Sequence, residues 1–237
     1  MYTVFCRRML ASVLLVSGFW GCATRKEVGE TPPPESTAPR KTVTISTPLV
    51  LLPVPRNVVF SGEGVRVGSF RTDPRSTISL FLQSEFNTAA EMLRQYSISD
   101  TSGAALPLRV TVSDDVVVHE QGYRLRIGTD GVDIAARTEQ GVFYAAQTLK
   151  QLARQFAAEG ILPVVTVEDW PDFPNRGVML DISRDKVPEM ETLDALVDRL
   201  AEWKCNQLQL YTEHTFAYRN HPLVWQEASP MTPRQIR

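Results

Sequence analysis

The chain has 237 residues, of which 43% are hydrophobic and 22% charged, a composition typical of globular domains rather than of disordered chains. Its 25 Lys and Arg against 27 Asp and Glu leave a formal charge of -2. This balance excludes a broad basic surface, so we expect no nucleic-acid partner. The three cysteines are too few and too widely spaced for a disulfide framework or a metal cluster.

Residues 1–21 have the pattern of a signal peptide. Arg7 and Arg8 precede an apolar run that is too short to span a bilayer. Cys22 follows in a Gly-Cys-Ala sequence that resembles the bacterial lipobox, in which the cysteine is lipidated. We therefore predict an exported protein of the cell envelope, an outer-membrane lipoprotein held through Cys22; plain secretion and a retained anchor are the alternatives.

Residues 22–47 are rich in Pro, Thr, Ser, Glu and Lys and show no apolar periodicity. Such a segment buries too little surface to order itself, so it is predicted to be a disordered tether. It would hold a folded body away from the membrane.

Residues 48–167 alternate short strand patterns with two helix patterns, which predicts a small α/β domain. Strands are expected at Val58–Phe60, Val65–Phe70 and 164–167, and a Thr-Asp-Gly turn predicts a hairpin between residues 123–127 and 132–135. Apolar residues at three- and four-residue spacing predict helices over residues 77–96 and 141–152. His119 is expected in a surface loop, and no HExxH motif occurs, so no zinc or other cofactor is predicted.

A second unit is predicted over residues 168–237, after a junction with two prolines. Residues 177–183 resemble a buried strand, residues 193–203 an amphipathic helix, and residues 206–211 another strand. Strand, helix and strand imply a parallel sheet, either doubly wound or a (β/α)8 barrel. In both folds the chemistry gathers beyond the C-terminal ends of the strands.

Polar clusters follow both predicted strands of this unit. The residues are Asp181, Ser183, Arg184 and Asp185 after the first strand, and Glu213, His214 and Tyr218 after the second. Asp181 either belongs to a functional site or only pairs with Arg184 and accepts hydrogen bonds from the neighbouring backbone. The second cluster suits a polyol ligand. His214 and His221 lie seven residues apart without a third ligand, so no metal is predicted.

Three segments, in this order, resemble family 20 glycoside hydrolases, the β-N-acetylhexosaminidases. They are Leu52-Pro53-x-Pro55, Tyr123-Arg-Leu-Arg-Ile with the Gly141–Leu152 run, and Phe173-Pro-Asn-Arg-Gly-Val-Met-Leu-Asp-Ile-Ser-Arg184. After the second strand the chain departs from the common His-x-His motif and is nearer to the hexosaminidase D-like branch. The resemblance implies a small α+β, zincin-like N-terminal domain at 48–167, followed at 168–237 by the first β-α-β of an incomplete (β/α)8 TIM barrel.

The resemblance also implies a substrate-assisted mechanism on glycans that contain N-acetylhexosamine. The 2-acetamido oxygen of the sugar attacks the anomeric carbon, an Asp orients that amide, and an adjacent Glu is the general acid. No residue of this chain matches that Asp-Glu pair, so no catalytic residue is assigned. The substrate-binding candidates are Arg176, Glu213, His214, Asp181 and Arg184. Arg176 comes first on the resemblance, whereas strand polarity alone favours Arg184.

A barrel needs about 250 residues, whereas only 64 follow from Pro174. We therefore expect a truncated catalytic domain and no activity from the chain alone. A truncated reading frame, an incomplete gene model and a companion polypeptide are all compatible with this. Two other functions stay open: a fragment of another glycosidase family with a similar leading domain, and a non-catalytic envelope lipoprotein that binds a glycan or a partner.

Overall fold

The computed structural model describes residues 2–5, 40–76, 78–95, 105–184 and 186–237. Cys22, most of the predicted signal peptide and tether, and Asp185 lie outside the described residues. No helix in the described ranges is long and apolar enough to cross a membrane.

The described residues form two sheets with helices between and beside their strands. The strands are β1 Tyr2–Phe5, β2 Thr42–Thr44, β3 Asn57–Arg66, β4 Phe70–Thr72, β5 Leu106–Val112, β6 Tyr123–Gly128, β7 Gly131–Ala136, β8 Ile161–Asp169, β9 Gly177–Asp181 and β10 Gln207–Tyr211. The helices are α1 Leu80–Gln95, α2 Glu139–Gln155, α3 Met190–Glu202, α4 Pro222–Trp225 and α5 Pro233–Ile236, with a 3₁₀ turn at Ala157–Glu159.

The larger sheet has seven strands among the described residues, in the order β2-β3-β8-β6-β7-β5-β4. Strand β5 lies parallel to both of its neighbours, and the other pairs are antiparallel. The hairpin β6-β7 turns through Thr129 and Asp130, as the Thr-Asp-Gly sequence predicts.

One face of this sheet carries the core. On β6, Tyr123, Leu125 and Ile127 are each at most 1% exposed, while Arg124 and Arg126 between them face solvent, as expected for a period of two. Helices α1 and α2 cover the apolar face and pack on each other. Burial of each large apolar side chain contributes about 1.5–3 kcal/mol, so this layer is the main stabilising element.

Strand β3 differs from the sequence prediction of two short strands. It runs unbroken from Asn57 to Arg66, and its register against β8 shifts between Phe60 and Gly64. Gly62 has a φ of 80° at this irregularity. Because glycine adopts that conformation without steric cost, the strand bulges here and continues.

The smaller sheet has the order β1-β10-β9. Strands β9 and β10 are parallel and joined by α3, as predicted, whereas β1 pairs antiparallel with the other side of β10. A second core of Ile182, Leu193, Leu200, Leu208 and Leu210 lies between α3 and these strands, with Phe216 and Met231.

The prediction of a buried strand at residues 177–183 is wrong for its first half. Val178 is 43% exposed and Met179 is 58% exposed, although Ile182 is fully buried. Among the described residues β9 has one strand neighbour, β10, so its outer edge is unpaired.

Candidate functional site

The end of β9 carries a carboxylate that is held by three hydrogen bonds. Asp181 Oδ1 accepts from the backbone N of Ser183 at 2.8 Å and from its hydroxyl at 2.7 Å. Asp181 Oδ2 accepts from Arg184, with Nη2 at 2.6 Å. The two bonds from Ser183, with the guanidinium of Arg184, lower the pKa of Asp181 below its ordinary value. A fixed carboxylate and an arginine that is 75% exposed therefore lie together at this strand end.

The end of β10 places a second carboxylate beside the same arginine. Glu213 accepts a hydrogen bond of 2.9 Å from the Tyr211 hydroxyl, and this bond raises the pKa of Tyr211. The pKa of Arg184 is raised, chiefly by Asp181 and to a smaller extent by Glu213 and Tyr211. Parallel pairing sets Tyr211 opposite Asp181, so both strand ends lie at one edge of the sheet.

His214 lies next to Glu213 at the rim of an open depression of about 520 Å³, which Tyr218, His221 and Val224 also line. The indole Nε1 of Trp225 donates to the Tyr218 carbonyl at 2.9 Å and fixes that wall. Within the described ranges, no group of three or more His, Cys, Asp or Glu side chains could hold a metal ion. We call Asp181, Arg184, Glu213 and His214 the strand-end cluster.

The structure does not bring Arg176 together with the strand-end cluster. Arg176 precedes β9 and Asp181 ends it, so the two are about 17 Å apart along the strand. Its Nε and Nη2 donate to the Lys204 carbonyl at 3.0 and 2.7 Å, and its Nη1 donates to Gln121 Oε1 at 2.7 Å. Its guanidinium also lies 5.2 Å from the centre of the Tyr144 ring. Each part of this guanidinium thus has a protein partner where the two sheets meet.

A buried group of polar side chains lies at the same junction. None of them was among the candidate site residues predicted from the sequence. Lys204 Nζ donates to Asp169 Oδ2 and to the Tyr123 hydroxyl, both at 2.8 Å, and the Thr148 hydroxyl lies 2.6 Å from Tyr123. The side chains of Lys204 and Asp169 are 7% and 12% exposed. Burial lowers the pKa of the Lys204 amine, and the Asp169 carboxylate opposes this shift. We call Lys204, Asp169, Tyr123 and Thr148 the junction cluster.

One sequence signal could have revealed the junction cluster. Lys204 directly follows Trp203, which caps α3, at the position where glycine most often ends a helix. A lysine there, between an amphipathic helix and a strand, is compatible with a side chain that makes a specific contact. Asp169 and Tyr123 carry no comparable signal, because their proximity depends on the pairing of β6 with β8.

Comparison with known families gives a match over half of the chain. The family model described as glycosyl hydrolase family 20, domain 2, matches residues 49–170. This range covers the seven-stranded sheet from β3 onward, with α1 and α2.

Curated relatives agree with this match. A β-N-acetylhexosaminidase of Cellulomonas fimi is 32% identical over 121 residues, which cover 50% of this chain and 24% of that protein. A β-hexosaminidase of Porphyromonas gingivalis is 28% identical over 187 residues, which cover 71% of this chain and 23% of that protein. The chain thus spans about a quarter of the length of these relatives.

A solved structure shares the fold. A mutant β-hexosaminidase of Streptomyces plicatus, in complex with the product GlcNAc, aligns with a TM-score of 0.55 and 28% identity. The alignment covers 76% of this chain and 37% of that one. It therefore extends beyond residues 49–170.

Proposed function

Because the chain belongs to glycoside hydrolase family 20, we propose that it forms the leading part of a β-N-acetylhexosaminidase that removes terminal N-acetylhexosamine from glycans. Both curated relatives described above are hexosaminidases, and the Streptomyces structure holds GlcNAc. The observation in this chain that carries the proposal is the strand-end cluster, in which Arg184 pairs with Asp181 and Glu213 follows the end of the neighbouring parallel strand.

In this proposal, residues 48–167 are a zincin-like supporting domain and β9-α3-β10 opens a (β/α)8 barrel. Parallel strands joined by a helix are the repeating unit of that barrel, and its chemistry lies at the C-terminal ends of the strands. The strand-end cluster is at that end and Arg176 is at the other. The geometry therefore favours Arg184 over Arg176 as the arginine that binds the sugar.

The cluster supplies the groups that a sugar ring requires. The guanidinium of Arg184 offers several N–H donors to hydroxyl oxygens, while Glu213 and Asp181 accept hydrogen bonds from hydroxyls. Because Asp181 already accepts three bonds from Ser183 and Arg184, its main role is to orient Arg184. We assign hydroxyl binding to Arg184 and Glu213, with His214 at the rim.

The bond-breaking groups are not assigned to this chain. The resemblance implies an adjacent Asp and Glu, and the one adjacent carboxylate pair of that kind near the barrel start, Glu168 and Asp169, is committed elsewhere. Glu168 pairs with Arg124 at 3.0 Å, and Asp169 is buried against Lys204. We therefore expect the 237 residues by themselves to release no chromogenic aglycone from an N-acetylglucosaminide. Measurable turnover would contradict this expectation.

Titration with N-acetylglucosamine, followed by NMR or calorimetry, tests the proposed site. We expect Arg184→Ala to weaken binding about tenfold, the value of one or two hydrogen bonds to a charged group. Arg75→Ala is the matched control. Arg75 is likewise exposed and pairs with a nearby aspartate, Asp73, but it follows β4 of the larger sheet, away from the strand-end cluster. Equal affinity of the Arg184→Ala and Arg75→Ala variants would reject the strand-end cluster as the sugar site.

We also propose export and lipidation at Cys22, which rest on the sequence pattern of residues 1–23 alone; cleavage before Cys22 would remove β1, so β10 would lose that neighbour in the mature protein. Expression in a bacterium with a radiolabelled fatty acid should label the wild-type chain and leave Cys22→Ser unlabelled. Label on both chains would reject Cys22 as the site, and label on neither would reject lipidation.

A further inference from the structure

We infer that Lys204 is a positioning residue, which fixes the starts of β9 and β10 on the larger sheet and thereby holds Asp181 and Glu213 in place at the strand ends. The inference rests on the proposed function in so far as the strand-end cluster binds the sugar. Nothing in the proposed function requires Lys204 itself to touch substrate.

The Lys204 side chain buries a charged amine, which is energetically unfavourable without a partner. A residue that only connected α3 to β10 would not need such a contact. Its amine is buried and bonds Asp169, the last residue of β8, and Tyr123, the first residue of β6, at 2.8 Å each. The ammonium also lies 5.0 Å from the centre of the Tyr123 ring. Removal of a charge from water is unfavourable unless a partner compensates it, and Asp169 is that partner.

The backbone of Lys204 is strained for a residue with a side chain. Its φ is 61°, in the left-handed region that glycine adopts most readily, and it is the one non-glycine residue with positive φ in the described part of the chain. A turn alone would be better served by glycine at this position. A lysine with this φ indicates that the contact of its amine offsets the strain.

The main chain of Lys204 holds the other strand. Its carbonyl accepts two bonds from the Arg176 guanidinium, and Arg176 in turn contacts Gln121 in the turn before β6 and Tyr144 on α2. The Arg176 carbonyl accepts from the backbone N of Asn206, whose side chain bonds the backbone N of Arg176. One residue thus clamps the starts of both parallel strands.

This clamp acts at the end of the strands opposite the strand-end cluster. The two strands pair along all five residues, from Gly177 opposite Gln207 to Asp181 opposite Tyr211, so a displacement of the starts is carried along this ladder to the ends. Asp181 and Arg184 follow β9, whereas Glu213 follows β10. The ladder sets the spacing of the two strand ends, and the clamp sets where this pair of strands lies on the larger sheet.

Amide hydrogen exchange and N-acetylglucosamine binding of Lys204 variants of the full 237-residue chain test the inference. In Lys204→Met we expect exchange in residues 177–184 and 207–218 to rise about tenfold or more, while residues 123–136 keep their protection. Binding of N-acetylglucosamine should weaken about fivefold in parallel. Lys204→Arg, which keeps the charge, should restore most of both properties.

Two further variants separate positioning from simpler roles. Lys150→Met is the matched control, because Lys150 forms a partly buried 3.0 Å pair with Glu85 away from the junction, and it should change neither readout. Lys204→Gly removes the strain together with the amine. A positioning role predicts faster exchange in Lys204→Gly, whereas a role in the turn alone predicts unchanged or slower exchange and a higher melting temperature.

Unchanged exchange at residues 177–184 and 207–218 in Lys204→Met would overturn the inference, as would a stabilised Lys204→Gly. If Lys204→Met does not fold, Tyr123→Phe removes one partner of the amine and should raise exchange in the same residues about threefold; no rise would equally overturn it. If the wild-type chain does not bind N-acetylglucosamine, the proposed function fails, while the exchange data still test the clamp.

Discussion

The Tyr123 hydroxyl lies at the meeting point of the two sheets and is 1% exposed as a residue. It accepts from the Lys204 amine, shares a 2.6 Å hydrogen bond with Thr148, and lies 3.3 Å from Asp169. Burial and the nearby Asp169 carboxylate raise its pKa well above the ordinary value, so the hydroxyl keeps its proton. It is therefore available as both donor and acceptor.

We predict that Tyr123→Phe lowers the free energy of unfolding by about 1–3 kcal/mol, because each of its buried polar partners loses one hydrogen bond. Urea denaturation measures this change. Tyr211→Phe is the matched control: its hydroxyl bonds Glu213 at an exposed site, so a loss within about 0.5 kcal/mol is expected. Equal losses in both variants would contradict a special role for the junction.

At the residue scale the sequence predicted some site residues better than others. Asp181, Arg184, Glu213 and His214 follow strand patterns directly, and strand polarity is a local property, so their shared edge could be expected. The placement of Arg176 could not be, because its partners Gln121 and Tyr144 are distant in the chain. The family predicted from motifs is confirmed by the match over residues 49–170.

The start of helix α2 packs so closely against a neighbouring loop that one of its positions accepts only glycine. Thr138 caps its start by accepting from the Gly141 backbone N, and Gly141 in the first turn packs against the loop before β6. A Cβ added at Gly141 would lie 2.3 Å from the Gly122 carbonyl oxygen and 3.0 Å from the Ala136 side chain. The close approach of helix and loop therefore requires glycine here.

We predict that Gly141→Ala lowers the free energy of unfolding by about 1–3 kcal/mol through overpacking. Helix propensity alone predicts the opposite sign, a gain of about 1 kcal/mol. Thermal or urea unfolding distinguishes the two. As a control, Thr88→Ala on the exposed face of α1 should be neutral or slightly stabilising. A stabilised Gly141→Ala would show that the loop moves away at little cost.

At the element scale, periodicity predicted the helices because an amphipathic face is encoded within one segment. Phe86, Ala89 and Leu93 of α1 and Leu149 of α2 are fully buried, as their spacing indicates. Strand pairing is not encoded in this way. No local pattern reveals that β5 lies parallel to β7 rather than beside β6, or that Gly62 bulges a strand instead of ending it.

The outer face of the larger sheet carries an ionic network that links its strands. Arg126 bonds Asp130 at 2.7 Å and Asp133 at 2.6 Å, and Arg109 bonds Asp133 as well. The hydrogen bond from Arg126 lowers the pKa of Asp130 below its model-peptide value of 3.8, and Asp181 is lowered in the same direction at the strand ends. The whole molecule thus carries carboxylates that are harder to protonate when folded.

We predict that stability falls as the pH is lowered below about 4. A carboxylate with a lowered folded-state pKa binds fewer protons than in the unfolded chain, so its contribution is present above 3.8 and lost as the pH falls through the folded value. Urea unfolding between pH 2 and 7 measures the slope. Asp130→Asn should make the slope shallower in acid, and an unchanged slope would contradict the assignment.

Across the whole molecule, the clamp and the proposed sugar site lie at opposite ends of the same two strands. The starts of β9 and β10 are held by Arg176 and the junction cluster, while the ends carry the strand-end cluster. In a barrel, the first end serves stability and the second serves catalysis. We therefore expect substitutions at Asp169 or Arg176 to lower stability and to affect sugar affinity only through the position of the two strands.

The ring of Trp170 stacks on His119 with centroids 4.9 Å apart and planes 7° from parallel, and Arg56 lies 5.5 Å from the same ring. Since Trp170 follows β8 and His119 precedes β6, this stack spans the loops beside the junction. An indole in such contact emits light differently from one in water. Trp170 is thus an intrinsic fluorescent reporter of this contact. Its emission, obtained by subtracting the spectrum of Trp170→Phe from that of the wild type, should change when the two loops separate.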